Sequence, residues 1–179
     1  MKKIVFVLFV VLIITACSNK IVDVEVNDNV EEKKIEYLNI KNKLLEKKEY
    51  SKLEDIPCNL VASLDRTSEE ELSYRVILDN PKEDMYDISA LLVHNQFSED
   101  IFPSIGIFDD KTKLIVGDSE LKGIELVGYI ETTKKLDNKD LVLLLWISYL
   151  DSDKNKHEIY YKVDNVSYND NSTKNDNKE

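Results

Sequence analysis

Leu141-Val142-Leu143-Leu144-Leu145-Trp146-Ile147-Ser148-Tyr149-Leu150 is the stretch on which the fold turns. It is apolar at odd and even positions alike, the pattern of a central strand buried on both faces. On its C-terminal side a polar loop, Asp151 to Lys156, returns the chain into a second strand over His157 to Val163. On its N-terminal side the period is two. Leu72, Tyr74, Val76 and Leu78 alternate with Ser73, Arg75 and Asp79, which predicts a half-buried strand ending at the Asn80-Pro81 turn. Met85 to His94 follows, with Tyr86, Ile88, Ala90 and Leu92 expected on one face. Further strands are expected over Asn59 to Asp65, Ile105 to Phe108, Lys113 to Val116 and Ile124 to Glu131. Asp109-Asp110, Gly117, Gly123 and Gly128 punctuate them.

Seven or eight short strands over residues 55–163, with no long helix between them, predict a mainly β fold. A two-layer antiparallel sandwich fits best, and a small barrel of similar strand count is the alternative. Upstream of Pro57 the composition shifts to Glu, Lys and Leu. Over residues 30–49, Tyr37, Leu38, Ile40, Leu44 and Leu45 fall within one broad arc of a helical wheel, predicting an amphipathic helix. Its acidic start, Glu31-Glu32, and basic end, Lys47-Lys48, suit the helix dipole. With fewer than three heptads, a helix packed on the body or a partly ordered stalk is favoured over a partner-binding or coiled-coil stalk. Residues 17–29 are polar and read as a flexible tether. Residues 164–179, in which Val166 and Tyr168 are the large apolar groups, read as a disordered tail.

Composition narrows the function. The 179 residues hold 24 basic and 35 acidic side chains, a formal charge of −11, with 42% hydrophobic residues and a sequence pI near 4.8. An acidic chain has no basic face for phosphates, so no nucleic acid is expected as a partner. Two cysteines exclude a disulfide-dense scaffold and a four-Cys zinc site.

The first residues give an address. Met1-Lys2-Lys3 is positive, Ile4 to Ile14 is an unbroken run of Ile, Val, Phe and Leu, and Thr15-Ala16-Cys17 follows. This is the layout of a secretory signal peptide over residues 1–16. As a membrane span it is short, roughly 20 Å of helix against a hydrocarbon core of about 30 Å. Ile14-Thr15-Ala16-Cys17 resembles the lipobox of bacterial lipoproteins, although position −3 is Ile where Leu is commoner. The resemblance implies a diacylglyceryl thioether on Cys17, cleavage just before it and acylation of the new amino group. The expected location is therefore the extracytoplasmic face of the cell membrane, with lipid on Cys17 as the anchor. Cleavage removes Lys2 and Lys3 and no acidic residue, taking the formal charge from −11 to −13. Such a body is repelled by anionic headgroups. The body, residues 55–163, is similar in pattern to the small immunoglobulin-like sandwiches of exported bacterial lipoproteins, without the Cys, Trp, Cys spacing of true immunoglobulin domains.

Chemistry is sparse. The chain has no Gly-x-Ser-x-Gly elbow, phosphate loop, His-Glu-x-x-His or Cys-x-x-Cys, so neither catalytic residues nor a cofactor are expected. Asp151, Asp153 and Asn155 reproduce the first three ligand positions of a calcium loop and are candidates for weak cation binding. Lys156 stands where Gly is required and Lys162 where a closing Glu belongs, so a polar hairpin turn is the simpler reading and no metal is assigned. His94 and His157 lack partners at metal-ligand spacing, and Cys58 reads as a buried apolar thiol. The expected function is a membrane-anchored, non-enzymatic binding module for an envelope or extracellular protein. The alternative is an enzyme-accessory or inhibitor lipoprotein acting through acidic loops.

Overall fold

The computed structural model describes residues 28–68, 70–96, 101–118, 120, 123–131, 141–164 and 166–170. The signal segment, Cys17 and the tether as far as residue 27 lie outside the described residues, as do residues 171–179. Helix α1 spans Asp28–Glu46, so the last two residues assigned to the tether are helical, and a single 3-10 turn, Leu53–Asp55, follows. Then come β1 (Asn59–Arg66), β2 (Glu71–Asp79), β3 (Met85–His94), β4 (Ser104–Ile105), β5 (Thr112–Leu114), β6 (Ile124–Glu131), β7 (Leu143–Leu150), β8 (Lys156–Val163) and β9 (Val166–Asp170).

These strands form a β-sandwich. One sheet has the order β6-β2-β1-β9; the other runs β4-β3-β7-β8, with β5 also on the outer edge of β3. β1, β2 and β6 stand where strands A, B and E of an immunoglobulin-like Greek key stand, and β3, β7 and β8 where C, F and G stand. Two separate sheets replace the barrel alternative. Between them lies a continuous apolar core. Leu72, Val76 and Leu78 of β2 meet Ile88, Ala90 and Leu92 of β3 and Leu143, Leu145 and Ile147 of β7, all essentially without exposure.

β7 is buried on both faces, as its sequence requires, because α1 forms a third layer over the five-stranded sheet. Tyr37 and Leu44 of α1 pack on Leu91, Val93, Leu144, Trp146 and Tyr160, with Phe102 and Ile107 from the β3–β5 connection at the side. Each buried side chain of Leu size contributes roughly 1.5–3 kcal/mol. The inward stripe, buried Tyr37 and Leu44 with half-buried Ile40 between them, has helical spacing. Leu38 and Leu45, expected on the same arc, instead face out at 39% and 44% exposure. The sheet receives a narrower stripe than the wheel allows, and these two lie beyond its edge.

Two more expectations change. Tyr86 does not share a face with Ile88: it is exposed while Met85 and Ile88 are buried. The reason is a bulge at Asp87, whose φ of +50° is left-handed and shifts the register with both β5 and β7. The polar segment expected as a disordered tail over residues 164–179 contributes a strand, β9, parallel to β1. Ser167 Oγ donates to the Ala62 carbonyl at 3.1 Å and Asn169 Nδ2 to Asp65 Oδ1 at 2.8 Å, so cross-strand polar bonds supply what hydrophobicity does not. Tyr168 stays exposed, yet its hydroxyl accepts the Nε–H of the buried Arg66 at 3.0 Å.

Gly128 in β6 is required by packing. It sits opposite Tyr74, whose ring lies where a Cβ would stand.

Candidate functional site

Cys17, the expected lipidation position, lies outside the described residues. Asp151, Asp153 and Asn155 come together at the β7–β8 turn. There the Asp151 carboxylate is the hub: Oδ1 accepts the backbone N–H of Asp153 at 2.9 Å and of Asn155 at 2.8 Å, while Oδ2 accepts Asn155 Nδ2 at 3.0 Å. His157 Nε2 lies 2.8 Å from Oδ2 as well. His157 first, then Asn155, hold the Asp151 carboxyl down at about 2. The oxygens that a cation would need are turned onto the loop itself, with Lys154 in the left-handed region at φ +64°. Among the described residues no group of three His, Cys, Asp or Glu side chains is arranged to hold a metal ion.

The neighbouring strand extends this network. The Tyr149 ring stacks on His157 at 4.8 Å, and its hydroxyl donates to Glu83 Oε1 at 2.7 Å; burial first, then Glu83, raises its pKa. Cys58 sits in the core, where burial pushes its thiol up to about 11. A thiol so protonated is no nucleophile at neutral pH, although a depression of about 750 Å³ passes beside it. His94 is 3% exposed and meets Tyr74 and Phe102 edge-on, at 5.2 and 4.8 Å between ring centres. It is a core histidine.

A cavity of ligand size lies elsewhere, between the flank of α1 and the five-stranded sheet. The groove encloses about 470 Å³, within the range of small-molecule sites. Its floor is Trp146 and Ser148 of β7 and Ser89 of β3; register places Ser89 directly opposite Ser148. Toward the other end of the same face stand Leu91, Val93 and Leu144 under the helix, so the floor changes from apolar to polar where the groove opens. The helix wall carries Glu32 and Glu36; Lys111 and Lys156 stand on the sheet side.

Glu158 is bridged by Lys43 from α1 at 3.3 Å and by Lys156 at 3.1 Å. Burial opposes its charge, but the Lys156 and Lys43 ammonium groups outweigh burial and hold its carboxyl below the usual range. Lys47 and Lys43 lie 3.9 and 5.0 Å from the centre of the Tyr160 ring, fastening the C-terminal half of the helix over β8. The Trp146 indole N–H is buried and has no acceptor among the described residues.

No known protein family matches this chain, and no curated protein is significantly similar to it.

Of the groove residues, Trp146 stands out in the sequence only as a core aromatic. Ser148 is visible there as the polar break in an apolar run, but its pairing with Ser89 depends on the bulge at Asp87. Glu32, Glu36 and Lys111 are ordinary surface charges until the docked helix brings them to one groove.

Proposed function

We propose that this protein is a lipid-anchored, extracytoplasmic binding module held at the membrane through Cys17. The observation that carries the reading is Ile14-Thr15-Ala16-Cys17 at the end of an apolar run too short to span a bilayer. Two or more acyl chains hold a protein where one is marginal. The formal charge of −13 that remains after cleavage keeps the body off anionic headgroups and open to partners in the surrounding envelope or medium. The immunoglobulin-like topology supports a binding role by analogy only, since fold does not dictate function. The apolar sandwich core and the internally bonded Asp151 turn favour recognition over hydrolysis.

Replacing Cys17 by Ala tests the anchor: the protein is expected to leave the membrane fraction, and mass spectrometry is expected to find lipid on residue 17 of the wild type. An unmodified residue 17 in the mature protein contradicts it. Crosslinking on intact cells tests the binding role, with an envelope or extracellular protein as the expected product. Hydrolysis of a cell-wall or peptide substrate, lost on substitution of a His or Asp, overturns it.

A further inference from the structure

We infer that the groove between α1 and the five-stranded sheet is a binding site for a small zwitterion, of the class of short peptides with free termini. The inference rests on the reading of the body as a binding module, and it is independent of the lipid anchor.

Three observations carry it. The first is the buried Trp146 indole N–H, which no acceptor among the described residues satisfies. A buried donor left unmade costs roughly 1–3 kcal/mol, and Trp146 lines the groove. That N–H has almost no accessible surface, so a ligand carbonyl or carboxylate oxygen supplies the missing acceptor only as the indole edge turns into the groove. The second is the paired serines. Ser148 is 7% exposed, and its hydroxyl makes no hydrogen bond among the described residues, on a sheet face that is otherwise apolar beneath the helix. Ser89 beside it is committed to the Gly106 carbonyl at 3.0 Å, leaving Ser148 to the ligand.

The third is charge. Glu158 is already satisfied by two lysines, whereas Glu32 and Glu36 on the helix wall and Lys111 on the sheet side make no ion pair among the described residues. The groove is therefore polarised across its width, negative toward α1 and positive toward the sheet edge. A molecule with an ammonium at one end and a carboxylate at the other matches that polarity; a ligand of single charge leaves one wall opposed. The volume of about 470 Å³ admits a tripeptide rather than a folded partner.

Trp146 is the sole tryptophan, so its emission reports on the groove directly. The experiment titrates the full mature protein in detergent micelles with trialanine, and in parallel with N-acetyl-trialanine amide, which has the same shape without terminal charges. A saturable change in emission is expected for trialanine, with the capped peptide weaker by about tenfold or more. Lys111→Gln and Ser148→Val, each checked for native circular dichroism, are expected to weaken trialanine binding by about tenfold; Lys113→Gln, outside the groove, leaves it unchanged. No saturable response, an equal response to the capped peptide, or binding unaffected by both groove variants overturns the inference. If crosslinking on cells nevertheless recovers a protein partner, the groove assignment fails while the binding-module reading stands.

Discussion

The outer faces of the two sheets are built differently. On the four-stranded sheet, β2 and β6 alternate strictly: Leu72, Tyr74, Val76 and Leu78 point in, while Ser73 and Arg75 point out, and Arg75 pairs with Glu125 at 3.1 Å. That face meets solvent with Val61 at 55% and Tyr129 at 61% exposure. On the five-stranded sheet β3 from Ile88 onward and β7 as far as Tyr149 are buried in both registers, and Leu91, Leu144 and Trp146 would be open to water without α1. The difference teaches that α1 is the third layer of the domain. The two unalternating strands require a cover, and the helix supplies it.

The largest expected effect comes from breaking the covered face. Trp146→Ala should cost about 3–5 kcal/mol in urea unfolding followed by circular dichroism, as for a fully packed aromatic. A loss below about 1 kcal/mol would mean that the helix and sheet are only loosely joined. Gly128→Ala sharpens the comparison from the other sheet: its methyl group overlaps the Tyr74 ring, and a cost of about 1–3 kcal/mol is expected.

Tyr37→Phe probes the helix contact itself. The Tyr37 hydroxyl accepts the backbone N–H of Phe102 at 2.8 Å in a buried setting, so its removal should cost about 1–3 kcal/mol. Next comes pH. The Asp151 carboxyl, held at about 2 against its usual 3.8, contributes stability that is complete above pH 4 and is lost as pH falls toward 2. Asp151→Asn is therefore expected to lower the unfolding midpoint at pH 6 and to converge with wild type near pH 2; parallel curves at both pH values would contradict this. The smallest effect belongs to the open face, where Tyr129→Ala should stay within about 0.5 kcal/mol.

The same contrast explains how much was legible in the sequence. β3 and β6 have the bounds that their residues predict, because period-two alternation or an unbroken apolar run leaves little freedom in where a strand sits. β9 escaped because Val166 and Tyr168 are too few to signal a strand; it exists through pairing with β1 and bonds such as Asn169 to Asp65. The fate of Tyr86 escaped because a left-handed Asp87 cannot be read from alternation. The groove escaped for a further reason: a site between a helix and a sheet is fixed by docking and register, neither of which lies in local spacing. The proposed anchor is the reverse, an expectation read from adjacent residues alone.

Amide hydrogen exchange of α1 in the intact protein tests the third layer most directly. A charged helix of 19 residues is marginal on its own, so protection there reports docking. The amides of Tyr37 to Leu44 are expected to exchange slowly, within about tenfold of those of β7. Exchange of those amides at the rate of an unstructured peptide, with β7 still protected, would contradict the account.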